Sequence, residues 1–211
     1  PLAERLDGHF YGFEHVEIAA DHADRASGDY LLWAREQRPD FDSLVGPENA
    51  LPDNRIDAPQ AWRTAVPEEL YSTNWIADRS EAFLEERAEE DEPFFLQMSF
   101  PDPHHPFTPP GKYWDMYDPA DMPDPIACGL EDKHPYMAAW RQATAMDQLD
   151  EDAVRRIRAI YFGMVTLADH YVGRIMQALR DGGRDADTTV VFVSDHGDMT
   201  GDYGLVEKGQ I

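Results

Sequence analysis

Apolar positions recur at helical spacing in two stretches of this 211-residue chain. From Thr73 onward, Ile76, Ser80, Phe83, Leu84 and Arg87 fall on one side at intervals of three and four. Ser72 or Thr73 is placed to cap this helix, and the acidic run Glu85–Glu92 ends it. Asp152–Arg180 is the longer case. Val154, Ile157, Tyr161, Met164, Val165, Ala168, Val172, Ile175 and Leu179 form a continuous stripe, and Gly182-Gly183 stops it. Two segments read as strands instead. Phe94–Phe100 is aromatic, mostly apolar and bounded by Pro93 and Pro101, and Thr188–Ser194 is rich in β-branched residues. Strand, helix, strand of this character predicts an α/β fold with a mostly parallel sheet flanked by helices on both faces. Ligands in such sheets sit beyond the carboxyl ends of strands. Polar clusters follow both Phe100 and Ser194, which is where a ligand is expected.

The rest of the chain is less regular. Residues 1–70 form an irregular lead-in, in which Val16 and Ile18 alternate with polar positions and allow a short strand. Pro39, Pro47, Pro52, Pro59 and Pro67 make the stretch from Arg38 to Pro67 a long surface connection. Residues 108–150 read as a second excursion, with Trp114, Tyr117 and Trp140 to pack it down, and 71–211 as the core α/β part. The chain starts at Pro1 and stops at Ile211, directly after its richest motif, so both ends are expected to be cuts within a single, partial domain.

Composition narrows the partners. With 18 basic and 42 acidic residues the net charge is −24, a surface that repels nucleic acid and anionic lipid. No apolar run is long enough to span a bilayer. The single cysteine, Cys128, excludes an internal disulfide framework and a Cys-rich zinc site. It has no basic or histidine neighbour and reads as structural and unreactive. Compartment and oligomeric state are left open.

Two constellations carry chemistry. Ser194-Asp195-His196-Gly197-Asp198 is followed by Gly201, Gly204 and Lys208. An Asp-His pair at a strand end offers a hard oxygen and an imidazole nitrogen, a mix that suits Ca²⁺, Mg²⁺ or Mn²⁺ when further carboxylates join. The plainer alternative is a glycine-rich loop whose histidine caps the strand. Pro103-His104-His105-Pro106 is the second cluster. A histidine held stiffly there can bind an anion as imidazolium or give a proton to a leaving oxygen. Adjacent loop histidines point different ways, so at most one is expected to enter the site. Asp21-His22 with Asp24 has the composition of a metal site but reads as a polar loop, and Asp169-His170 as helix surface.

Three blocks together resemble the sulfatases of the alkaline phosphatase superfamily. They are Phe94–Phe107, the helix from Tyr161-Phe162-Gly163 through Asp169 to Gly173-Arg174, and Val190–Lys208. The resemblance implies the central part of a sulfatase catalytic domain acting on a small-molecule or carbohydrate sulfate ester. It implies that Asp195 and His196 ligate a divalent cation, usually Ca²⁺, with Mg²⁺ or Mn²⁺ as alternatives. Lys208 is implied to contact the sulfate group and bridging oxygen. His104 is implied to hold the sulfate and protonate the leaving group, and His105 has no matching role. The family's formylglycine is made from Cys or Ser in a Cys/Ser-x-Pro-x-Arg signature. That signature is absent here, because Gly129, Leu130 and Glu131 follow Cys128. It is expected upstream, as is the family's Asp-Asp metal pair, and the isolated chain is expected to be inactive. A phosphonate monoester or phosphodiester hydrolase of the same superfamily, or an inactive anion-binding homologue, stand as alternatives.

Overall fold

The computed structural model describes residues 10–127 and 135–208, so Cys128 falls outside the described residues. In chain order, strand β1 (Ala19–Ala20) pairs antiparallel with β2 (Ser27–Gly28), and helices α1 (Asp29–Gln37), α2 (Ser72–Ala88), α3 (Pro135–Ala143) and α4 (Glu151–Asp181) follow. The strand suggested by Val16 and Ile18 begins just after them, at Ala19.

Helix α4 is the spine. Its 31 residues span about 46 Å at 1.5 Å per residue. The Asp150 carboxylate accepts a hydrogen bond from the Ala153 N–H at 2.8 Å and caps the start. At the other end the helix gives way at Gly182, and Gly183 turns the chain with a φ of 68°. One end of the apolar stripe (Ile157, Ile160, Met164) packs with Phe107, Trp114 and Leu205. The other end (Leu167, Tyr171, Ile175, Leu179) packs with Tyr30, Phe41, Tyr71 and Trp75. Gly163 lies between the two. A side chain there would start 2.1 Å from the Tyr113 carbonyl oxygen, so only hydrogen lets the 3-10 turn Gly111–Asp115 lie on the helix.

Helix α2 crosses α4, and the Arg174 guanidinium ties them by bonding Asn74 Oδ1 at 3.1 Å, Asp78 Oδ1 at 2.8 Å and Glu81 Oε2 at 2.7 Å. Ser72 and Thr73 do not cap α2 as the sequence suggests. The helix starts from Tyr71 with no side-chain cap, and both residues are buried. Thr73 Oγ1 instead donates to Asp102 Oδ2 at 2.5 Å, fastening α2 to the segment that carries His104.

The expected parallel sheet is not observed. Among the described residues the only sheet is the short β1–β2 ladder, and neither predicted core strand belongs to a ladder. The first is only half covered where a core strand predicts burial: Phe94, Leu96 and Phe100 lie against the core while Phe95 and Gln97 are exposed. Thr188–Ser194 has no such support, with Val191 78% and Phe192 84% exposed. A strand is a non-local state whose backbone groups need a neighbouring chain. β-propensity by itself supplies no such neighbour.

Candidate active site

Three segments converge beside the amino-terminal half of α4. The first is Pro101–Phe107. Phe107 is fully buried, and its N–H donates to the Gln60 carbonyl at 2.7 Å. Prolines at 101, 103 and 106 leave this stretch few conformations. Its anchor, Asp102, is buried and bonded by Thr73, and burial pushes its carboxyl up to about 6. A carboxyl harder to ionise when folded favours folding below its unfolded value of about 3.9 and loses that contribution as pH rises through about 6. Asp102→Asn is therefore expected to gain on the parent by about 1–3 kcal/mol between about pH 4 and pH 8. Urea unfolding at both pH values measures this, and a difference that stays constant with pH would refute it.

The second segment is the loop from Asp195 to Lys208. Its turn closes through Thr200 N–H to the Val206 carbonyl at 2.8 Å and Gly201 N–H to the Leu205 carbonyl at 2.7 Å. Gly201, at a φ of 106°, faces Val154 so closely that a Cβ would lie 2.4 Å from that side chain. The buried Arg158 of α4 holds the loop in place, donating to the Thr200 carbonyl at 3.1 Å and to Asp202 Oδ1 at 2.8 Å. The third segment is the turn at His22.

These segments bring together four imidazoles. The His104 ring stacks on His22 at 3.7 Å between centroids and on His105 at 4.0 Å, with His196 edge-on at 5.6 Å. His104 Nδ1–H donates to the His105 carbonyl, which leaves Nε2 as an acceptor with no protein partner. Burial pushes His104 down to about 4. The ring is therefore neutral near pH 7, not the imidazolium that anion binding would suggest. His105 does not turn away, as the sequence suggested one of two adjacent loop histidines would; it stacks on His104 and joins the same cluster. Its Nδ1–H donates to Asp198 Oδ1 at 3.1 Å, and Glu207 Oε2 lies 3.8 Å from Nε2. Burial raises the Glu207 carboxyl.

Asp198 is the hub of this arrangement. The same Oδ1 that receives His105 accepts the Lys208 N–H at 2.6 Å, which joins the histidine segment to the lysine. Lys208 Nζ reaches to 3.3 Å from His196 Nε2. His196 Nδ1–H donates to the Gly197 carbonyl at 3.2 Å, so Nε2 carries the lone pair. Asp195 is exposed and accepts from the His196 N–H at 2.9 Å, and that bond holds its carboxyl below the usual range.

Of the residues expected from sequence, Asp195, His196, His104 and Lys208 thus gather in one place. As cation ligands Asp195 and His196 fit in kind. Asp195 Oδ2 and His196 Nε2 lie 3.5 Å apart. That is roughly the spacing of neighbouring ligands around an ion bound at about 2.3–2.6 Å. They are two donors only: no group of three or more His, Cys, Asp or Glu is placed to hold a metal among the described residues. Asp169 and His170 are exposed on α4.

His22 and Glu207 were not expected here, and Asp198 stood inside the motif without an assigned role. Asp24, grouped with His22 as a polar loop, is fully buried instead. Its Oδ2 accepts from Trp62 Nε1 at 2.9 Å, Thr64 Oγ1 at 2.8 Å and the Gly46 N–H at 3.3 Å. No spacing rule links His22 to a histidine so distant in sequence.

Comparison with known proteins identifies the family. The sulfatase family model matches residues 21–210, and the chain belongs to that family. It is 34% identical over 207 residues to an arylsulfatase of Clostridium perfringens, covering 96% of this chain and 41% of that protein. It is 32% identical over 183 residues to the multifunctional alkaline phosphatase superfamily protein PehA of Trinickia caryophylli, covering 77% of this chain and 35% of that protein. Among solved structures it is similar to the phosphonate monoester hydrolase of Agrobacterium radiobacter, with a TM-score of 0.74 and 28% identity over 97% of this chain and 42% of that one. The chain thus spans about two fifths of the length of these relatives. Its fold is that of alkaline-phosphatase/sulfatase-like domains, and no helix of the described residues is long and apolar enough to cross a membrane.

Proposed function

We propose that this chain is the central part of a sulfatase catalytic domain and supplies the later half of a site that hydrolyses a sulfate monoester. The convergence of His104, Asp195, His196 and Lys208 on one cluster supports this reading, with His104 and His196 ring centroids 5.6 Å apart. Asp195 and His196 would hold a divalent cation, Ca²⁺ first and Mg²⁺ or Mn²⁺ as alternatives. When bound, such an ion withdraws charge from the group being transferred. Lys208 places its ammonium beside that group and offsets charge that builds on the sulfate oxygens. His104 would offer the ester its Nε2, which is buried and without a protein partner. An arriving anion raises the basicity of a desolvated imidazole, so the ring can take up a proton and pass it to the departing alcohol oxygen. The nucleophile implied by the family is a formylglycine, and no Cys/Ser-x-Pro-x-Arg signature occurs in these 211 residues. The chain by itself is accordingly expected to show no turnover.

A phosphonate monoester or phosphodiester substrate is the second reading. It is supported by the likeness to the Agrobacterium radiobacter enzyme and to PehA. The full-length protein, loaded with Ca²⁺ or Mn²⁺, is to be assayed on an aryl sulfate and an aryl phosphonate. The sulfatase reading expects the larger kcat/KM on the sulfate. A strong phosphonate preference would replace it with the second reading, and no turnover of either ester would leave an anion-binding homologue.

A further inference from the structure

We propose that His22 is a positioning residue for His104, holding the plane and tautomer of that imidazole by face-to-face stacking. The inference rests on the proposed hydrolase for its bearing on rate, but its structural part stands without it.

The two rings lie 3.7 Å apart and within 18° of parallel. His105 covers the opposite face at 4.0 Å and 29°. Between two such planes the His104 ring can neither tilt nor swing out. A half-turn about Cβ–Cγ would exchange Nδ1 with Cδ2 and Nε2 with Cε1, and to make it the ring would have to sweep through both neighbouring planes. The bond from Nδ1–H to the His105 carbonyl opposes that half-turn and presents Nε2 as the acceptor. The stack therefore fixes the ring plane and the hydrogen bond fixes which nitrogen carries the proton, and together they aim one lone pair.

His22 is itself held firmly by its backbone. Its neighbours Asp21 and Ala23, neither of them glycine, have φ values of 63° and 57°. Such conformations persist only where the surroundings over-determine them. Here Ser27 Oγ donates to Asp21 Oδ2 at 2.8 Å, Ala23 is fully buried, and Asp24 is gripped by Trp62, Thr64 and Gly46. The imidazole adds no hydrogen bond of its own at Nδ1, which is buried and without a partner. Its contribution to His104 is thus made through the ring face, so a flat ring without nitrogens should serve nearly as well.

His22→Ala and His22→Phe test this in the full-length, cation-loaded protein, read by two measurements. The first is the ¹⁵N signature of the His104 tautomer at one fixed pH. The second is kcat and KM on whichever ester the parent turns over. Alanine is expected to mix the tautomers and lower kcat about 10²-fold with KM little changed, the scale of a misplaced catalytic group. Phenylalanine is expected to restore the single tautomer and most of kcat. A phenylalanine variant as impaired as the alanine one would overturn the proposal, because the nitrogen and not the face would then be in use. An unmixed tautomer in a folded alanine variant would overturn it as well. Should the parent turn over no ester, the proposed function fails, and the tautomer measurement decides the role of His22 by itself.

Discussion

Alanine at Lys208 is expected to lower kcat on the preferred ester of the full-length protein about 10²–10³-fold, the usual loss when one preorganised charge partner is removed. Lys208 is the cation of this cluster: Nζ stands 3.3 Å from His196 Nε2, and burial and like-charged neighbours keep His22 and His104 neutral near pH 7. Its position is set through the main chain, where the Lys208 N–H donates to Asp198 Oδ1 at 2.6 Å. That bond survives truncation of the side chain. Because Lys208 is exposed, the thermal midpoint should stay within a degree or two of the parent, as surface changes do. Arginine should rescue poorly, since a rigid planar fork does not replace a compact ammonium on a flexible stem. Steady-state kinetics beside a thermal scan check both parts. Unchanged kcat in Lys208→Ala would remove the lysine from the chemistry.

Asp24→Ala has the largest expected effect on stability, a loss of about 3 kcal/mol or more. Its Oδ2 receives the Trp62 indole, the Thr64 hydroxyl and the Gly46 amide in a place sealed from water. Deleting the acceptor strands three donors, each costing about 1–3 kcal/mol if left unmet. Burial raises the Asp24 carboxyl, and the three donors act against that shift. Urea unfolding of the variant gives the loss directly. A change below about 1 kcal/mol would mean that water replaces the carboxylate and that this turn is more open than described.

The two long helices, α2 and α4, could be read from sequence because their signal is local, whereas the shorter α1 and α3 lie in stretches read as irregular. Sequence placed α4 at Asp152–Arg180 and the structure gives Glu151–Asp181, since a stripe at helical spacing and a glycine pair agree. The cap of α2 was misread because Thr73 has a stronger claim on it, the buried Asp102. The parallel sheet is not seen among the described residues, for a different reason. Propensity in Val190–Val193 is intrinsic, whereas pairing depends on a neighbour that no window of sequence contains. The site divides in the same way. Asp195, His196, Lys208 and His104 stood out through motif resemblance. His22 reaches the cluster only through the buried fastening of Asp24, and that depends on Trp62 and Thr64, far along the chain. Asp198 lay inside the motif, but its two hydrogen bonds could not be inferred from its position there.

The uncovered ribbon from Val190 to Val193 has a practical side. It is uncharged, free of proline and rich in β-branched and aromatic residues, with Phe192 84% exposed. Segments of that kind template cross-β stacking between molecules. The strong negative charge elsewhere opposes self-association only as far as counter-ions allow. A concentrated, salted solution of these 211 residues should therefore turn cloudy and bind amyloid dyes, and a lysine at Val191 or Phe192 should keep it clear.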